Sequence, residues 1–223
     1  VHHIQRKILN ALLYAESLSY AHMRPKGVES NHFSYHLDQL VKDGLVIKHD
    51  KQYSLAPDGL KFVDRLSQQK MVDRLQPHIV TAIDITNTAG QTLVYTRRFQ
   101  PYINRVGFPL GKTHYEESVE QAAIRELTEK TGLNDVPLRH RGMVYLESKI
   151  QGVTISKVLY HVFQGTTEQQ PVTVDATRGE CTWTDHTTLK DQEVMPGFKA
   201  IKTLLDGPSD SLFFAELCEE MTE

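Results

Sequence analysis

Cysteine is scarce. Two residues in 223, Cys181 and Cys218, are too few for a disulfide scaffold, and their spacing is not that of a metal-thiolate pair. No apolar run is long enough to span a bilayer, and no charged-then-apolar leader opens the chain. A reduced, cytoplasmic protein with no membrane partner is therefore expected. Internal repeats and low-complexity tracts are absent as well. Neither charge sign dominates, with a formal net charge of −3, which argues against a strongly basic nucleic-acid coat or a long acidic tail.

What is present is unevenly placed. Hydrophobic residues make up 39% and charged residues 24%, enough to build a packed core. Residues 1–76 hold 11 Lys+Arg against 8 Asp+Glu and six of the 11 histidines, while residues 77–223 hold 14 against 20. This asymmetry, with Pro77 at the change of texture, predicts two domains, 1–76 and 77–223.

In the first segment Ile4, Ile8 and Leu12 recur every four residues and predict a helix over about 2–15. Ser19 can cap a short second helix that ends before Pro25. Ser30 can cap a third, with Phe33, Leu37, Leu40 and Val41 as its apolar stripe and Gly44 as its stop. LVIKHDKQYSL reads as two short strands around a charged turn, followed by a helix from Pro57 towards Leu75 with Leu60, Val63, Leu66, Val72 and Leu75 on one broad face. The histidines at 2, 3, 22, 32, 36 and 49 read as scattered, individually structural residues.

This order, over about residues 2–66, resembles the winged helix-turn-helix of bacterial and archaeal transcription regulators. The resemblance implies that the third helix enters the major groove of DNA. Asn31, His32, Ser34 and Tyr35, opposite the apolar stripe, would then meet bases and phosphates, and Lys48 and Lys51 on the wing would neutralise phosphates. Winged helices also serve protein contact, and Asp38, Asp43 and Asp50 oppose the approach of phosphate. A homodimer is expected, since most such regulators read two half-sites.

The second segment reads as strands around Ala89–Gly90, a glycine turn into a helix, two more strands around Gln151–Gly152, a short strand in ECTWTD and a helix in FKAIKTLLDG. A helical tail is expected from Asp210, with Leu212, Phe213, Leu217 and Met221, either as a docking or dimer element or as intramolecular packing. Gly111, Glu117, Arg125, Glu126, Leu127, Glu129, Gly132 and Leu133 stand in the register of the Nudix box, so about residues 78–206 resemble a Nudix hydrolase. An α/β protein is expected, an N-terminal winged helix-turn-helix plus a C-terminal Nudix α/β/α sandwich.

The Nudix resemblance implies Mg²⁺ or Mn²⁺ held by Glu126 and Glu129, with Glu117, against the diphosphate of a nucleotide-like ligand. Arg125 would orient a carboxylate, and all of Arg125, Glu126 and Glu129 would be catalytic if the site is active. One position departs: Lys130 stands where the box has a second glutamate, a main metal ligand. An ammonium 4–5 Å from a divalent ion costs roughly 7 kcal/mol at an effective dielectric of about 20. Lys130 also lies four residues after Glu126, the spacing of a helical ion pair. Metal binding is therefore expected to be weakened unless Glu116 or Glu147 completes a shifted site. Gly111, Lys130, Arg97 and Arg98 are candidate ligand contacts. Three functions compete, one of them a non-catalytic interaction module. The first is a ligand-responsive transcription regulator whose Nudix domain binds a nucleoside diphosphate-type metabolite with weak or no hydrolysis, resembling Nudix-related regulators with the domain order reversed. The second is a metal-dependent Nudix hydrolase carrying an accessory winged helix.

Overall fold

The computed structural model describes residues 2–65, 75–208 and 210–221. The chain divides into two compact units, Val1–Leu75 and Gln76–Glu223. No helix among the described residues is long and apolar enough to cross a membrane.

The first unit runs α1 (His3–Leu13), β1 (Leu18–Ser19), α2 (Tyr20–Met23), α3 (Ser30–Lys42), β2 (Val46–His49), β3 (Gln52–Leu55) and α4 (Pro57–Asp64). The three strands form a small sheet in the order β1-β3-β2. The apolar stripes of α1 and α3 meet in one core: Ile4, Ile8, Leu9 and Leu12 against Phe33, Leu37 and Leu40, closed by Val46, Tyr53 and Val63. His2 caps α1 through its Nδ1, which accepts the Ile4 amide, and Gln5 completes the box. Gly44, at φ +70°, ends α3 where a left-handed residue is needed.

Three readings need correction here. Ser30 is the first helical residue and Glu29 is the cap; the Ser30 hydroxyl bonds the Tyr20 phenol instead. The two-residue strand β1 was not anticipated, being too short to carry a period. Leu60 is 55% exposed while Val63 is buried, so the broad apolar face of α4 is narrower than its spacing implied. Leu66 and Val72 lie outside the described residues, and Leu75 is exposed and non-helical.

The second unit is a mixed sheet flanked by a helix on each face. Its elements are β4 (His78–Thr86), β5 (Thr92–Arg97), β6 (Val106–Gly107), β7 (Leu110–Lys112), α5 (Val119–Thr131), β8 (Arg139–Ile150), β9 (Val153–Thr166), β10 (Gly179–Thr184), α6 (Phe198–Leu205) and β11 (Phe213–Met221). The strand order is β10-β5-β4-β9-β8-β11, with β6 on β5 and β7 on β4. β4 pairs with β9 in parallel, and β11 with β8. Alternation along the strands divides the core. Ile83, Ile85, Leu93 and Phe163 face Ala123 and Leu127 of α5, while Val80, Ala82, Val94 and Val162 face Phe198, Ile201 and Leu205 of α6.

α6 is also fixed by a buried polar network. Lys202 Nζ donates to both oxygens of Asp84, at 3.0 and 3.1 Å, and to Thr92 Oγ1. Gln164 donates to the same carboxylate, and Arg141 bonds Gln164 and the backbone carbonyls of Leu205 and Gly207. Asp84 is fully buried, so this pairing replaces the solvation it gave up.

The expected C-terminal helical tail is instead strand β11. A spacing of four residues falls on one face of a strand as well as of a helix, because four is even. Ala215 and Glu219 complete the inward row, Phe214, Glu216, Cys218 and Glu220 point outward, and every residue from Phe213 to Met221 pairs with β8. The strand docks beside Gly142, where an added Cβ would come within 2.3 Å of the Phe213 carbonyl.

Candidate functional site

The glycine turn and box helix stand on the α5 face of the sheet. Ser118 caps α5 by accepting the Gln121 amide, and Gln121 answers through the Ser118 amide; Gly132, at φ +68°, ends the helix. Gly111 sits at the opposite wall. A Cβ there would lie 1.8 Å from the Glu126 carboxyl carbon, so the Glu126 side chain packs directly on the glycine backbone. That approach is the physical reason for glycine at this position.

Arg125 is the hub of the site. Its Nε and one terminal nitrogen grip Glu117 as a bidentate pair at 2.9 and 2.6 Å, and the same terminal nitrogen donates to the Lys112 carbonyl at 3.1 Å. Its other terminal nitrogen donates to Glu126 at 2.8 Å and to Glu129 at 3.3 Å. Glu117 also accepts the His114 amide at 2.6 Å. The Arg125 hydrogen bonds, aided by that amide, hold the Glu117 carboxyl far below its usual range, at about 2.

Lys130 closes the arrangement. Its Nζ lies in direct hydrogen-bonded contact with Glu126 Oε2, so Glu126, only 6% exposed, is held between two cations. Lys130 is backed by the Tyr95 ring, 5.9 Å from the ammonium, and its carbonyl accepts the Cys181 thiol at 3.3 Å. Burial pushes that thiol up to about 12, which favours the protonated form that donates to the Lys130 carbonyl. Tyr95 and Cys181 are cross-strand partners on β5 and β10. They were missed in the sequence because only strand pairing brings them beside Lys130.

These residues do not fit a divalent ion. Octahedral Mg²⁺ needs several convergent oxygens, and the buried Glu126 and half-buried Glu117 carboxylates are both engaged by guanidinium or ammonium. Glu129 is 59% exposed with one long contact to Arg125. Glu116 is exposed, and Glu147 is engaged by Thr154 and Lys157 on β9, so neither completes a shifted set. Among the described residues, no group of three or more acidic, histidine or cysteine side chains is arranged to hold a metal.

The other candidates fall in different places. Arg97 lies over the Phe99 ring at 3.6 Å and donates to the carbonyls of Phe99 and Gln100; Arg98 pairs with Glu180 at 2.8 Å. Both are thus engaged within their own unit. In the first unit, Asn31, His32, Lys48 and Lys51 are exposed and Tyr35 is 59% exposed, but the Ser34 hydroxyl is bonded to Tyr20 at 2.8 Å. The histidines are not all scattered: His2, His3, His32 and His36 form one cluster. The spacing of His32 and His36, four apart on a helix, was the available signal.

A NUDIX domain model matches residues 76–204. No curated protein sequence matches the chain. Among solved structures, the NUDIX domain of Shewanella oneidensis NrtR, complexed with ADP ribose, is 13% identical over 66% of this chain and 96% of its own, with a TM-score of 0.53. The MutT protein of Bacillus halodurans is 19% identical over 64% and 90%, with a TM-score of 0.52. At such identities the likeness concerns the fold.

Proposed function

The chain belongs to the NUDIX domain family, and from that premise we propose that it is a ligand-responsive, DNA-binding regulator whose NUDIX domain binds a nucleoside diphosphate-type metabolite with weak or no hydrolysis. The observation that carries this reading is the contact of Lys130 with Glu126, which spends a box carboxylate on an internal cation. Catalysis in this family would draw on a divalent ion to cancel phosphate charge. With Glu117 and Glu126 already neutralised by Arg125 and Lys130, binding can survive where turnover does not. The NUDIX domain of NrtR was solved with ADP ribose, which makes ADP-ribose-type molecules the first ligands to try.

The DNA-binding half of the proposal rests on the first unit. Two packed helices joined by a short one, with a β2-β3 hairpin after α3, match the order of a winged helix-turn-helix. The exposed Asn31, His32 and Tyr35 on α3 and Lys48 and Lys51 on the hairpin would supply the contacts. In a homodimer, ligand binding would move two such helices relative to half-site spacing.

The second reading is an active hydrolase. The exposure of Glu129 favours it, since one box carboxylate remains accessible to solvent. Phosphate release from ADP-ribose, dinucleotides and nucleoside triphosphates with Mg²⁺ or Mn²⁺ separates the two. The proposal expects turnover at or near background together with saturable ligand binding. Rates comparable to ordinary family members would replace it with the second reading.

A further inference from the structure

Two histidines open α1 and two lie one turn apart on α3. His2 stacks on His36 with ring centres 4.1 Å apart and planes at 8°. His3 lies 4.2 Å from His2, and His32 lies 4.9 Å from His36, their Nε2 atoms 3.2 Å apart. Tyr35 meets His36 edge-on. His36 is 7% exposed, whereas His2, His3 and His32 face solvent. α1 also carries Arg6 and Lys7, α3 carries Asp38 and Lys42, and Glu29 caps α3. Burial, then His2, His32 and His3, hold His36 below its usual value, with no carboxylate among the contributors. Burial, then His3 and His32, hold His2 low in the same way.

In the isolated protein the buried His36 cannot take up a proton cheaply, and His2, whose Nδ1 accepts the Ile4 amide, would lose that cap on charging. A polyanion changes that balance, because each phosphate it brings is the missing counter-charge. His32 lies on the face of α3 already assigned to DNA, so the cluster is continuous with that surface. We propose that the His2–His3–His32–His36 cluster is a proton-loaded phosphate contact, through which DNA binding by α3 takes up protons and strengthens as pH falls. The inference rests on the DNA-binding reading given above.

The sign is fixed by linkage. In the isolated protein His2 and His36 favour the neutral ring, so their share of stability is present above the ordinary histidine value and is lost as pH falls below it. When DNA raises the proton affinity of the same rings, affinity rises over that range, about tenfold per pH unit for each proton taken up. Neutralising one more phosphate also steepens the salt dependence by about 0.9 in log-log slope.

The test is fluorescence anisotropy of the full chain with a defined mixed-sequence DNA duplex, in EDTA, from about pH 8 to about pH 5.5. Wild type should bind more tightly and with a steeper salt slope at the acid end. His32→Gln, at an exposed position, should flatten both trends. His36→Gln, checked for folding by circular dichroism, should do the same. Strong binding that is flat with pH overturns the histidine inference and leaves DNA binding standing. Absence of binding at every pH overturns both.

Discussion

At the scale of single residues, the box helix owes its character to Lys130. Replacing it with glutamate would restore an ordinary box and leave Glu126 with only Arg125. Lys130→Glu is expected to create or raise Mg²⁺-dependent phosphate release; an unchanged rate would mean that other parts of the catalytic apparatus are also missing. Gly111 is equally specific. Gly111→Ala should lower stability measurably, because the new methyl overlaps the Glu126 carboxylate and one of the two must move. Thermal denaturation checks this, and an unchanged midpoint would contradict the packing described. Glu117 supplies a pH signature. Its folded value lies near 2, below the usual carboxylate range, so its contribution is complete above the unfolded value and disappears as pH falls through the interval between them. Glu117→Gln should therefore reduce the acid-dependent part of unfolding between about pH 5 and pH 2 while altering the neutral-pH profile less steeply, as urea denaturation over that range would report.

At the scale of elements, the two flanking helices are held by different physics. α5 rests on apolar packing and on Arg125, while α6 is anchored through Lys202 to the fully buried Asp84. Lys202→Ala strands that carboxylate and should cost about 3–5 kcal/mol in chemical denaturation. β11 depends on Gly142, so Gly142→Val should release the strand, read as faster amide exchange over residues 213–221 with the rest of the sheet less affected. Much of this architecture is legible in the chain. Strand-like apolar runs around the Ala89–Gly90 and Gln151–Gly152 turns mark β4, β5, β8 and β9, and fixed-spacing residues mark the Gly111–Leu133 loop and helix. Illegible parts have definite causes. Phe213, Leu217 and Met221 satisfy helix and strand alike until a neighbour supplies the pairing. β1 is shorter than any period. Tyr95 and Cys181 reach Lys130 only across paired strands, and His2 meets His36 only when α1 packs on α3. Arg97 and Arg98 carry the right chemistry for an anion, but local carbonyls and Glu180 engage them first.

At the scale of the whole molecule, the chain joins a mildly basic, histidine-rich unit to an acidic NUDIX unit. The NUDIX unit retains the turn, helix and sheet that a phosphate-bearing ligand would use, while its charge balance has shifted by two units at position 130. A binding module is expected to tolerate that shift better than a metal-dependent catalyst, which is why regulation is the reading we propose. The regulator account also requires that ligand binding at the NUDIX unit alter DNA affinity of the full chain, with reciprocal coupling between the two. The central claim concerns the cation in the box. Isothermal titration of Mn²⁺ into the full chain, beside Lys130→Glu, tests it most directly: the account predicts no saturable binding to wild type at millimolar metal and clear binding to the variant, whereas equal, saturable binding to both would contradict it.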